Sequence, residues 1–226
     1  MKLSIADNTN PNSLASRMRR KRLAIFLEMI HACPKSRVSV IDVGGSEAFW
    51  RDAWSPGFER LEITLLNLKA PKLSGTIDFR SVAGDARNLR EFGDGSFDFC
   101  LSNSVIEHVG GFEDQKRMAS ECARISNGYF IQTPNRSFPI EPHFQFPMWN
   151  LLPIPVRTEL HMHFNLGWLP KNPDRASARA DVEEIRLLGV REMQAIFPDA
   201  QIKFERVGPL VKSLIAVKQW STASAR

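Results

Sequence analysis

The stretch "VSVIDVGGSEAFW", Val38 to Trp50, decides the fold of this chain. Its β-branched start predicts a strand over Val38–Val43, and the segment from Glu47 to Trp54 predicts a helix. Asp42 and the Gly44–Gly45 pair lie between them. A strand, a glycine turn and a helix in that order present backbone N–H groups at the carboxyl edge of a sheet, where glycine lets a ligand approach closely. A dinucleotide is the wrong ligand. Its spaced-glycine fingerprint, begun at Gly44, requires glycines where Ser46 and Phe49 stand, and Phe49 would block the close helix–strand contact. An NAD-linked oxidoreductase is therefore the weakest of the alternatives.

The pattern continues outward from this turn. Leu61–Leu68 and roughly Ile77–Ala83 predict further strands, as do Phe97–Ser102, Tyr129–Gln132, Gln201–Val207 and Val211–Lys218. Helical spacing over Phe112–Ile125 places Met118, Cys122 and Ile125 on one side, and a second helix is expected near Val190–Phe197. Strands alternating with helices indicate a mostly parallel α/β sheet covered on both faces. The last two strands are joined by a Gly-Pro turn, which predicts antiparallel neighbours.

Between Thr133 and about Arg179 the texture changes. This region holds eight of the fourteen prolines together with Phe138, Phe144, Phe146, Trp149, Phe164 and Trp168. It is too apolar for a disordered linker and too proline-rich for one long helix. A partly helical cap inserted over the ligand edge of the sheet, residues 134–180, is expected. The whole chain, 1–226, then forms one domain with an N-terminal helical segment at 1–36.

Composition bounds the function. The 226 residues carry 30 basic and 25 acidic side chains, a net charge of +5. Five of the basic residues, Arg17, Arg19, Arg20, Lys21 and Arg22, form one cluster, and without them the charges balance. No basic face for a nucleic acid is expected; a weak peripheral contact with acidic surfaces through Arg17–Arg22 is. The same segment predicts a helix with Leu14, Met18, Leu23, Phe26, Leu27 and Ile30 turned inward. The short apolar run after the basic cluster contains Glu28, and no run approaches the ~20 apolar residues of a membrane span. Cys33, Cys100 and Cys122 are odd in number and lack metal-type spacing, so reduced thiols in a cytoplasm are expected.

Three motifs in order, Asp42-x-Gly44-Gly45, "GDARNL" around Asp85, and "FDFCLSNSVIEHV" from Phe97 to Val109, resemble the class I S-adenosylmethionine-dependent methyltransferases. The closest similarity is to the small-molecule type with a Glu-His pair after the fourth strand, and it covers about Val38 to Pro134 plus the closing strand pair. The resemblance implies a Rossmann-like three-layer sandwich with a seven-stranded sheet in the order 3-2-1-4-5-7-6. It implies S-adenosylmethionine as cofactor. Gly44 and Gly45 would pass beneath the methionine part of that cofactor, and Asp42 would orient the turn or reach its amino group. Asp85 would accept from the adenine amino group, and the Ala86 N–H would donate to the ring. Ser102, with Asn103 beside it, would face the cofactor. Where the family has an acid for the ribose hydroxyls this chain has Asn67, whose bond is no longer charge-assisted. Glu47 or Lys69 would then share that contact.

Candidate bases for an acceptor proton are His108, in "IEHV", and His143, in "IEPHF", the latter with Glu141 placed to orient its ring. His161 and His163, read on a strand, would share a face, but with no third ligand no metal is expected. The expected activity is methylation of oxygen or nitrogen on a small molecule or glycan-type acceptor. A non-catalytic binding protein that keeps the fold is the main alternative.

Overall fold

The computed structural model describes residues 14–53, 58–75 and 79–221. Strands β1 (Val38–Val43), β2 (Leu61–Asn67), β3 (Phe79–Ala83), β4 (Phe97–Asn103), β5 (Ser126–Pro134), β6 (Gln201–Val207) and β7 (Leu210–Lys218) form one sheet. Their order is β3-β2-β1-β4-β5-β7-β6. All neighbouring pairs are parallel except β5–β7 and β6–β7. β7 is therefore the reversed strand, entered through a turn in which Gly208 takes φ +57°. The start expected for β3 at Ile77 and the helix end expected at Trp54 fall outside the described residues.

The central strands are buried along their whole length, as parallel strands covered on both faces must be. One face is covered by α1 (Leu14–Ala32) and α2 (Glu47–Ala53), with Phe26, Met29, Ile30 and Trp50 packed on Val38, Val40, Phe99 and Phe130. The other face carries α3 (Phe112–Ile125) and α6 (Val190–Ile196), where Met118, Cys122 and Met193 meet Ile41, Cys100 and Ile131. Phe26 holds edge-to-face contacts with Trp50, Phe99 and Phe130, which makes it the pin between α1 and the sheet. The three cysteines are free and buried. Among the described residues no helix is long and apolar enough to cross a membrane.

The cap has its own core. α4 (Ile154–His163) pairs with α5 (Arg175–Glu184), and Phe144, stacked on Trp149 at 4.3 Å, joins Leu166 and Val182 beneath them. Because α5 runs to Glu184 and the chain rejoins the sheet at the Asn135–Leu188 bridge, the cap extends past the expected limit at residue 180. His161 and His163 lie on α4, not on a strand, so they do not share a face. Pro155 near the helix start is compatible with a helix, since its missing N–H is one that a first turn leaves unpaired anyway.

Candidate active site

The register of β2-β1-β4-β5 brings Asn67, Val43, Asn103 and Gln132 to one edge of the sheet. Gly44 turns there with φ +75°, a conformation that L side chains rarely adopt. A Cβ on Gly44 would collide with Val105, and one on Gly45 would collide with the Asp42 carboxylate. Both glycines are thus required by close approach. The Gly44 N–H is already used, donating to Leu66 O at 2.7 Å.

Two cavities open at this edge and share Gly44. The smaller, about 590 Å³, is walled by Val43, Asn67, Lys69, Asp85, Ala86 and His108, with Arg87 at its rim. The larger, about 630 Å³, lies beneath the cap, with Asp42, Gly45, Asn103, Ser104 and Gln132 on the sheet side and Phe138, Ile140 and Trp168 facing them. Ser104 holds φ +58°, unusual for a residue with a side chain. It is fixed by an N–H bond to Gln132 O and an Oγ bond to Gln132 Oε1, both 3.0 Å.

Asp42 is buried and accepts from Trp50 Nε1 at 2.7 Å. Burial pushes its pKa up to about 7, opposed by the Trp50 bond. A carboxyl poised in this way ionises readily when a cation comes to rest beside it. Asn67 donates Nδ2 to Gly45 O at 2.9 Å, a bond that does not use its amide oxygen, an acceptor. Lys69 lines the same cavity, whereas the Glu47 carboxylate is held by Ser74. Asp85 sits at the expected place but is clasped by Arg87 at 2.6–3.0 Å, and that contact lowers its pKa. Ser102 is displaced from its expected role. Alternation along β4 turns it inward, where its hydroxyl donates to Val43 O at 3.2 Å, and it lines neither cavity. Asn103 and Ser104 face the larger cavity instead, and neither Ser104 nor Gln132 carried any signal in the sequence beyond lying at strand ends.

The two candidate histidines meet. The His108 and His143 rings lie edge-to-face with centroids 4.9 Å apart. His143 Nδ1 is 2.6 Å from Glu141 Oε1, and Glu141 Oε2 accepts the backbone N–H groups of His143 and Phe144. Burial disfavours the His143 cation, but the Glu141 hydrogen bond and the charges of Glu141 and Glu107 outweigh it and raise its pKa. His108 moves the opposite way, lowered by burial and by the neighbouring His143 charge. Glu107, fully buried, accepts from Thr133 Oγ1 at 2.9 Å, while its Oε1 has no partner; burial raises its pKa to about 7. Glu107, His108 and His143 place ligand atoms within 4.8 Å of one another, a set able to hold a cation. No metal was expected from the sequence, where neither the three cysteines nor the His161–His163 pair offered a ligand set. Those two serve the cap, His161 binding Asp181 at 3.0 Å and His163 lying exposed. Arg87, two positions from Asp85, was also missed from sequence, and Glu107 was read only as part of the Glu-His pair.

The reversed seventh strand, the strand order and the glycine turn define a class I methyltransferase fold. Residues 56–131 match the family model described as "Methyltransferase domain". Two uncharacterized proteins of Mycobacterium tuberculosis are each 34% identical over 65 residues, which are 29% of this chain and 22% of theirs. The chain thus spans about a fifth of the length of the curated relatives it matches. Among solved structures, a CurJ carbon methyltransferase superposes with a TM-score of 0.57 at 10% identity, covering 92% of this chain and 55% of that one. A Haemonchus contortus phosphoethanolamine N-methyltransferase 2 in complex with S-adenosyl-L-methionine superposes at 0.50 and 16% identity, covering 84% and 39%. At such identities the likeness is one of fold. The glycine cradle, which any Cβ would fill, and the adjoining Asn67–Asp85 cavity fit the family's cofactor.

Proposed function

We propose that the protein transfers the methyl group of S-adenosylmethionine to oxygen or nitrogen of a small molecule or glycan-type acceptor. The observation that carries this reading is the pair of cavities meeting at Gly44: one suits a nucleoside, the other, capped and partly aromatic, suits an acceptor. The cofactor supplies an activated methyl group on a sulfonium, so the protein's task is positioning and proton removal. In this reading Asn67 and Asp85 hold the ribose and adenine, Gly44 and Gly45 make room for the methionine part, and Asp42 answers its ammonium. His108, in the wall of the smaller cavity, is the neutral imidazole that takes a proton from an acceptor group reaching past Gly44 toward it. His143, held by Glu141, is its charged neighbour and positions it, a division of roles supported by their opposed pKa shifts.

The test is calorimetric titration of S-adenosylmethionine and S-adenosylhomocysteine, followed by an acceptor screen with labelled methyl donor. Binding without turnover across the screen would favour the non-catalytic alternative, for which the Arg87 clasp on Asp85 is the specific observation. Binding of NADH with indifference to S-adenosylmethionine would revive the oxidoreductase.

A further inference from the structure

The larger cavity is electrically lopsided. Arg19 and Arg22 reach its wall from α1 and Lys212 from β7. Arg22 gives Nη1 to both carboxylate oxygens of Glu205, at 2.8 and 2.9 Å, yet its Nε is buried with no partner. Lys212 is half-buried, and its ammonium contacts the Met18 sulfur at 3.4 Å, a weak acceptor. Among the described residues Lys212 forms no salt bridge; Glu205, the nearest anion acting on it, is spent on Arg22. Asp42, the carboxyl lining the cavity, is held near neutrality by burial. Two cationic side chains line one space, one with only a thioether as partner, and an anion there would complete them. The same cavity is lined by Phe49, Phe138, Ile140 and Trp168, a surface for an apolar or ring-shaped body.

We infer that the methyl acceptor is anionic, a small molecule whose carboxylate or phosphate group sits between Lys212 and Arg22 with its apolar body against Phe138, Ile140 and Trp168. This rests on the larger cavity being the acceptor site of the proposed methyltransferase. It also gives the basic cluster of α1 a task inside the molecule, in place of a contact with an outer acidic surface.

The test uses protein saturated with S-adenosylhomocysteine and three ring probes: benzoate, phenyl phosphate and uncharged benzyl alcohol, with affinities read by ligand-observed magnetic resonance. The expected result is that at least one anionic probe binds about tenfold or more tighter than benzyl alcohol, the better of the two identifying carboxylate or phosphate. Lys212→Met should abolish that preference, leaving S-adenosylhomocysteine affinity and benzyl alcohol binding unchanged. Glu205→Gln should act in the opposite direction, tightening the anionic probe by about threefold or more as Arg22 is released. A gain of affinity cannot come from misfolding. Equal binding of charged and neutral probes, no binding of any probe, or an anion preference that ignores both substitutions would overturn the inference. Failure of wild type to bind S-adenosylhomocysteine would instead overturn the methyltransferase reading, and the same probes on the unloaded protein would still decide whether the cavity selects anions.

Discussion

Asn67, at the end of β2, donates its side-chain amide to the carbonyl oxygen of Gly45, 22 residues earlier in the chain. The amide is therefore a brace for the glycine turn. A carboxylate could not make this bond, since it has no proton to give. Asn67→Ala is expected to weaken S-adenosylmethionine binding by about 1–2 kcal/mol, by loss of the brace and of the ribose contact together. Asn67→Asp is expected to give no gain over wild type, because it sets a carboxylate against the Gly45 carbonyl. Titration calorimetry on the three proteins checks both outcomes; a tighter Asn67→Asp variant would show that the brace is dispensable.

Arg87 and Asp85 make a second, opposing pair. The guanidinium occupies both carboxylate oxygens and also donates to Val109 O at 3.2 Å, so it lies across the rim of the smaller cavity. If Asp85 receives the adenine amino group, Asp85→Ala weakens binding by about 1–3 kcal/mol. Arg87→Ala, by freeing the carboxylate, then strengthens it. The sign of the Arg87 effect is the decisive measurement, since a purely structural ion pair would have both variants fall together.

Much of this was legible in the chain itself, and what was not has physical causes. The β-branched runs and the glycine turn fix the sheet because parallel strands buried on both faces leave little freedom in composition. The cap was legible only as a departure from that texture. Its "HMH" looked like alternation, yet Pro155 starts a helix there, and the tertiary contact of His161 with Asp181 completes it. Ser102 and Ser104 differ by two positions, so strand alternation alone would give them one side; the positive φ at Ser104, just past the end of β4, sends it to the cavity while Ser102 stays on Val43. The Arg22–Glu205 pair joins residues 183 apart and had no local signature at all.

The buried carboxyls give a pH signature. Asp42 and Glu107 each have a folded-state pKa near 7, above the ordinary 3.8 and 4.5. Groups raised in this way favour the folded state fully below their unfolded values, and the benefit is lost as pH rises toward 7. Asp42→Asn and Glu107→Gln are expected to gain stability relative to wild type over that window, with the difference levelling off above it. Urea unfolding of each variant and wild type between about pH 5 and 8 measures this; a difference independent of pH would contradict the buried-carboxyl account.

The histidine pair gives another. His108 titrates below the ordinary 6.5 because burial and the His143 charge both oppose its protonation. With any acceptor that turns over and needs a base, kcat/KM should rise on an acid limb set by His108. His143→Gln removes the neighbouring charge and should move that limb to higher pH, whereas His108→Gln should erase it and lower kcat by about 10²-fold or more. An unchanged limb in His143→Gln would separate the two rings functionally.

Gly44 borders both cavities, so the two spaces meet at a single backbone position. A side chain there would strike Val105, so neither space can change at that point without shifting the wall of the smaller one. Room for change therefore lies in the far walls, the cap and the two basic elements, away from this shared position.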